Sequence, residues 1–198
     1  YFLALLHINK SVETSFKSLQ KLGLAAQSVC RMRINMSVYY YNSECKNIHI
    51  MLGRQLSQLL AENNAYDKDI VIMCIGSDRS TGDSLGPIIG YHLLDTIIKN
   101  VYIYGDIYNP INATNLGCSI KYINRLHHNP FIIAIDSCLG QTEHIGYVTL
   151  ASGPLCPGTG IKKELPEVGN LHITGIVNAY GNGSSLLHTT RLCTVVTL

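Results

Sequence analysis

Tryptophan is absent from the 198-residue chain, phenylalanine occurs three times, and Asp, Glu, Lys and Arg together supply only 14% of the residues. With hydrophobic residues at 46%, this composition excludes a disordered polyelectrolyte and describes a globular domain on the apolar side. No apolar run approaches the roughly 20 residues needed to span a bilayer, which argues against a membrane partner. The seven cysteines, at 30, 45, 74, 118, 138, 156 and 193, are odd in number and scattered, without C-x-x-C spacing. They fit neither a secreted disulfide framework nor a cysteine zinc site, and imply reduced thiols in a cytoplasmic compartment.

A basic surplus is also missing from most of the chain. Formal net charge is +2, but residues 1–35 hold five Lys/Arg against Glu13 alone, and the remainder holds ten against twelve acids. Without a basic patch in the main domain, nucleic-acid binding is not expected. The first 35 residues are acid-poor and hydroxyl-bearing, so a targeting peptide is one reading; the favoured one is an accessory, poorly ordered extension covering residues 1–45. A chain that starts at Tyr1, with its first methionine at Met32, reads as a fragment or a processed form. Residues 46–198 are long enough for one core and read as a single domain with a truncated last helix.

Hydrophobic spacing organises that domain. Met51, Leu52, Leu56, Leu59 and Leu60 recur at helical intervals from Ile48, and Asn63-Asn64 closes the pattern. "DIVIMCIG" follows as a strand, since its unbroken apolar run suits a sheet covered on both faces. Leu85 to Ile98 then predicts an amphipathic helix with Asp83 as its N-cap and Pro87 in the first turn, where a missing N–H costs nothing. "VYIYG" (101–105), "NATNLGCSIKYINRL" (112–126) and "PFIIAID" (130–136) continue as strand, helix and strand. This alternation predicts a three-layer α/β/α sandwich with a mostly parallel sheet. "GYVTL" (146–150) is a shorter strand, 152–170 a Pro/Gly loop, 171–181 a further apolar segment, and Ser184 or Ser185 a cap for a last helix.

In such a sheet ligands bind beyond the carboxyl ends of the strands, where loops converge and helix N-termini point partial positive charge. Asp83 follows the first strand and Asp136 ends the third, so both fall on that edge. Each has a structural explanation of its own, a cap for Asp83 and a turn for Asp136. Together, two acids on one edge can share a proton and act as general acid and base, or jointly hold a cation. His172, after the long loop, is a core histidine or a third member that completes a divalent-metal site or a proton-shuttling trio.

The polar loop Ser77, Asp78, Arg79, Ser80 and Thr81 before the helix is suited to gripping a substrate backbone. "GSDRSTGDSLG" lacks the GK[ST] ending of a phosphate loop and the spacing of a dinucleotide loop, so nucleotide binding is unsupported.

"IGSDRSTGDSLGP", "IIAIDSCLG", "PGTGIKKELPEVGNLHITGIVN" and "TRL", collinear from about Ile70 onward, resemble the YyaC-type sporulation proteins of spore-forming Firmicutes. Those proteins resemble in turn the spore germination protease and the endopeptidases that mature nickel-iron hydrogenases, which implies a phosphorylase/hydrolase-like fold. In the germination protease, aspartates in "DALGP" and "IDA" segments are the proposed acid pair, matched here by Asp83 and Asp136. In the hydrogenase peptidases an acid, a strand-ending aspartate and the histidine of an "HxxG" segment bind the metal of the substrate. Asp83, Asp136 and His172 match these three.

The resemblance thus implies an endopeptidase acting on a protein or peptide substrate in the sporulating cell or spore core. Its site is either an aspartic pair or a divalent metal ion held by Asp83, Asp136 and His172. A non-catalytic protein that uses the same pocket to bind a metal, peptide or partner is the alternative.

Overall fold

The computed structural model describes residues 37–158 and 165–180. Its elements are β1 (Val38–Asn42), α1 (Ile48–Glu62), β2 (Ile70–Cys74), α2 (Leu85–Leu93), β3 (Val101–Tyr104), α3 (Leu116–Leu126), β4 (Phe131–Gly140), β5 (Tyr147–Ser152) and β6 (Leu171–Ala179). The six strands form one sheet in the order β1-β5-β6-β4-β2-β3. β3, β2, β4 and β6 run parallel, whereas β5 is antiparallel to β6 and β1 to β5.

Side chains alternate along a strand, so neighbouring residues of β4 enter different layers. Ile132 and Ala134 pack with Val71, Met73, and the α3 residues Leu116 and Ile123. Phe131 and Ile133 pack instead with Ile70, Leu171, and Leu59 and Leu60 of α1. Leu85 of α2 packs with Val148 of β5 and Ile173 of β6. Both faces are therefore covered, which is why β2 and β4 read as unbroken apolar runs.

Topology accounts for the division of helices. β3 and β4 flank β2 on opposite sides, so the crossovers β2-α2-β3 and β3-α3-β4 run in opposite directions along the sheet. Right-handedness then sends α2 and α3 to opposite faces. Because the connection leaving β2 heads one way and that leaving β4 heads the other, a crevice opens between their carboxyl ends.

α2 sits unusually close to the strand ends. A Cβ on Gly86 would lie 2.0 Å from the Ile75 carbonyl oxygen, and one on Gly90 would lie 1.9 Å from that of Gly105. The two glycines, one helical turn apart, let the helix backbone rest directly on the ends of β2 and β3. At the opposite end of the sheet, His127 closes α3: its Nδ1–H donates to Asp69 at 2.8 Å, and Tyr104 Oη donates to its Nε2 at 2.8 Å. The "HHNP" segment is thus a helix end and turn, as its sequence suggests.

Three expectations need correction. The helix predicted to run to Ile98 ends at Leu93, because the chain must reverse through Asn100 (φ 60°) to start β3; Ile97, 98% exposed, has left the core. The strand predicted to end at Asp136 continues to Gly140, since β6 goes on pairing with it after β2 has stopped. The tyrosine run at 39–41, from which nothing specific was expected, forms most of β1. Of the extension expected over residues 1–45, residues 1–36 lie outside the described residues, whereas Val38–Asn42 is β1 of the sheet and so belongs to the domain; the helix expected after Ser184 or Ser185 also lies outside the described residues.

Candidate acid-pair site

The first acid is delivered by a reversal at the end of β2. Gly76 adopts φ +143°, and a Cβ there would meet the Asp83 carbonyl oxygen at 2.0 Å. Only glycine lets the chain fold back on itself at this point. The Ser77 N–H donates to that same Asp83 carbonyl at 2.9 Å, and the Asp83 N–H donates to the Ser80 carbonyl at 3.0 Å. Asp83 does not cap α2, contrary to expectation. It lies in the 3-10 turn Thr81–Ser84, and the cap position falls to Ser84, whose hydroxyl donates to the Thr81 carbonyl at 2.7 Å.

The second acid lies inside a strand. β2 pairs with β4 only as far as Cys74 opposite Ile135, whereas β4 continues with Asp136 opposite Thr174 of β6. Asp136 is thus held on one side by a parallel ladder and opens on the other past the end of β2. Its Oδ1 accepts the Ser137 N–H at 2.7 Å.

Both aspartates line one cavity of about 90 Å³, with Gly76, Asn112, Ser137 and Cys138 on the sheet side. Leu155, Cys156, Pro157, Gly158 and Leu165 of the β5–β6 connection close it. A two-residue ladder between Leu155 and Val168 pins that wall. The volume holds several waters or one side chain with its peptide group, well short of the roughly 300 Å³ at which small-molecule pockets begin.

The two carboxyls differ in environment. Asp136 is 7% exposed, and burial drives its pKa well above the usual carboxylate range, with the Ser137 N–H opposing the rise and the Asp83 charge adding to it. Asp83 is half-buried; burial raises it too, restrained by the Ser77 N–H. Since each charge penalises the other, the pair titrates as a unit, and the first proton taken up stays with the more deeply buried Asp136.

His172 stands elsewhere. It is opposite Ala134 on β6, one strand across and two residues before the level of Asp136, so roughly 8 Å separates their Cα atoms. A carbonyl oxygen only accepts, so the 2.9 Å bond to the Gly153 carbonyl identifies Nδ1 as the protonated ring nitrogen. His172 does not line the cavity, and among the described residues no three His, Cys, Asp or Glu side chains form a group suited to a metal ion. The donors present therefore do not fit the three-ligand metal site that the resemblance implies.

Of the loop residues expected to bind substrate, Asp78, Arg79 and Thr81 are exposed, while Ser77 and Ser80 are half-buried. Ser77 Oγ accepts the Arg79 N–H at 3.2 Å, and Ser80 Oγ is buried without a partner among the described residues. None of the five lines the cavity.

The family described as "Protein of unknown function (DUF1256)" matches residues 38–198. The chain belongs to that family. It is also similar to the uncharacterized protein YyaC of Bacillus subtilis (strain 168), with 46% identity over 131 residues. That match covers 65% of the chain, and the chain spans 64% of the length of that relative. Neither description carries an activity, so the functional reading rests on the site's own chemistry.

Four cavity residues went unnoticed in the sequence: Asn112, Ser137, Cys138 and Cys156. Cys138 donates to Thr174 Oγ1 at 3.3 Å, and burial pushes its thiol up to about 11, so it stays protonated. Ser137 and Cys138 follow Asp136 in the apolar stretch "IIAIDSCLG", which a strand taken through to Gly140 would have placed at the same edge. Asn112 carries a weaker signal, its spacing of three from Asn115 in a helix-start pattern.

Proposed function

We propose that the chain is a peptidase-like hydrolase in which Asp83 is the general base and Asp136 the general acid toward a peptide bond seated between them. One observation carries the reading: two carboxyls line the same small cavity in unlike surroundings, one buried, so that its pKa is raised well above the ordinary range, the other more exposed. That split is what divides an acid pair into donor and acceptor. Asp83 accepts a proton from water as the oxygen attacks the carbonyl carbon; Asp136 gives its proton to the departing amine. Asp83, now neutral, returns a proton to Asp136 through the products or solvent, and the pair is reset.

The wider reading is a protease of sporulation or spore germination, acting on a protein substrate in the cytoplasm or spore core. Its support is the resemblance of "DSLGP" and "IDS" to the acid segments of the germination protease, and the membership of the YyaC-type family. A fold akin to the hydrogenase maturation peptidases belongs to the same proposal. The six-stranded, mostly parallel sheet with helices on both faces is compatible with it.

A quenched-fluorescence peptide library, digested with and without chelator by wild type, Asp83→Asn and Asp136→Asn, tests this. The expected result is chelator-resistant cleavage that both substitutions abolish. Cleavage that survives either substitution, or no cleavage under any condition, would overturn the acid-pair mechanism.

A further inference from the structure

We propose that Asn112 and Ser137 are the hydrogen-bond donors that hold a substrate carbonyl oxygen in the cavity, an assignment that rests on the peptide-hydrolysis reading above. An acid pair supplies proton transfer, but the carbonyl oxygen gains negative charge during attack and needs fixed donors of its own. The cavity has two that the fold does not use.

Ser137 is the first. It is 7% exposed and lines the cavity, and its Oγ is buried with no hydrogen-bond partner among the described residues. Buried hydroxyls almost always find partners, so one left vacant beside a carboxyl in a cavity points to a ligand atom.

Asn112 is the second. Its Oδ1 accepts both the Thr114 N–H at 3.0 Å and the Thr114 hydroxyl at 2.7 Å. A backbone N–H only donates, so the amide oxygen is committed to Thr114, and the NH₂ group is what Asn112 offers to the cavity it lines. Its backbone is equally fixed. The Asn112 N–H donates to Asn115 Oδ1 at 2.8 Å, and the Asn112 carbonyl accepts the Leu116 N–H at 2.9 Å, which seats the residue at the mouth of α3. The partial positive charge of that helix end favours an oxygen that becomes negative.

The two residues converge because both flank the end of β2. The Ile75 N–H donates to the Ile135 carbonyl at 2.7 Å on one side, and the Gly76 N–H donates to the Ile111 carbonyl at 2.8 Å on the other. Ser137 and Asn112 follow these anchors by two residues and one residue, about two strand spacings or roughly 10 Å apart. Gly76 stands between them at the end of β2.

The test uses full-length protein and two neutral probes, a short alanine-leucine peptide with a central hydroxyethylene isostere and its deoxy-ethylene twin, measured by calorimetry. Asn112→Asp retains the oxygen that caps Thr114 and loses the NH₂ donors; Ser137→Ala loses the hydroxyl and Ser137→Thr retains it. Wild type is expected to prefer the hydroxyl-bearing peptide. Asn112→Asp and Ser137→Ala should each weaken that peptide on the order of 10²-fold, leave the deoxy twin unchanged and keep the wild-type melting temperature, with Ser137→Thr close to wild type.

Equal binding of the two probes by wild type, equal weakening of both by the variants, no binding of either, or a lowered melting temperature in Ser137→Ala would overturn the assignment. Preference for the hydroxyl probe in a protein that cleaves no peptide would leave the two donors standing and remove the hydrolase. Cleavage without that preference would do the reverse.

Discussion

Replacing Gly86 by alanine tests how α2 is seated on the sheet, and therefore how Asp83 is positioned. The new Cβ would lie 2.0 Å from the Ile75 carbonyl oxygen and 2.8 Å from both the carbon and the nitrogen of Ile75. Real Cβ contacts do not fall below 3.0 Å, so the helix must retreat by about 1 Å. The obstacle is strand backbone, fixed by the bond from the Ile75 N–H to the Ile135 carbonyl, so no rotamer change relieves it. Overpacking of this kind costs about 3 kcal/mol, the upper end of the usual range. For a domain of this size that lowers the melting temperature by about 6–12 °C.

Gly53 supplies the control within the same protein. It lies mid-way along α1, and an added Cβ there meets nothing within 4 Å. Gly53→Ala should therefore stabilise by about 0.5–1 kcal/mol through helix propensity alone. Thermal denaturation by circular dichroism should show the two glycine-to-alanine changes moving the midpoint in opposite directions. A Gly86→Ala midpoint within about 2 °C of wild type would refute the contact argument. Since Asp83 precedes Gly86 by three residues, the same retreat should reduce any peptide cleavage about 10²-fold, the usual penalty for a misplacement near 1 Å.

Two further outcomes follow from the buried groups. Burial raises the Asp136 pKa above its ordinary value near 4, so between that pH and the raised value the folded state binds the extra proton and loses stability as pH rises. Asp136→Asn cannot ionise and escapes this loss; its melting temperature relative to wild type should climb from about pH 4 upward and then level off, and a difference that stays flat with pH would contradict the shift. Cys138, pushed up to about 11, should resist iodoacetamide at pH 8 while the exposed Cys45 and Cys118 react, as read by peptide mass mapping. Labelling of Cys138 at the rate of Cys118 would contradict the raised thiol.

Most of the parallel half of the fold was legible because its signals are local. Six consecutive apolar residues from Ile70 to Ile75 announce a doubly covered strand, and Asn63-Asn64 announce a helix end that Asn64, at φ 49°, duly supplies. What escaped depends on partners far away in the chain. β1 exists because Tyr39 to Tyr41 pair with Val148 to Leu150, more than a hundred residues on, and nothing in the tyrosine run itself announces that partner. The early end of α2 is likewise set by the need to return to β3, since Leu94, Ile97 and Ile98 keep a helical spacing that the structure leaves exposed. The two aspartates were legible as edge residues, whereas the cavity around them was not. Asn112, Leu155 and Leu165 reach it from connections whose paths no periodicity encodes.

The difference in strand length is what turns two edge carboxyls into an unlike pair. Had β4 ended with β2, Asp136 would stand on a loop, solvated and free to move, with a carboxyl much like any other. Instead β6 carries the ladder on from Thr174 to Ala179, past a register shift between Cys138 and Leu139, and so holds Asp136 in a rigid, buried backbone. The neighbouring strand has already stopped, and the Gly76 reversal fills its place with the half-exposed Asp83. Burial of one carboxyl is thus fixed by a strand that continues, and exposure of the other by a strand that ends. On the proposed mechanism, the division of acid and base roles rests on this sheet topology, and a variant that shortened the β4–β6 ladder should erase the difference between the two carboxyls without touching either aspartate.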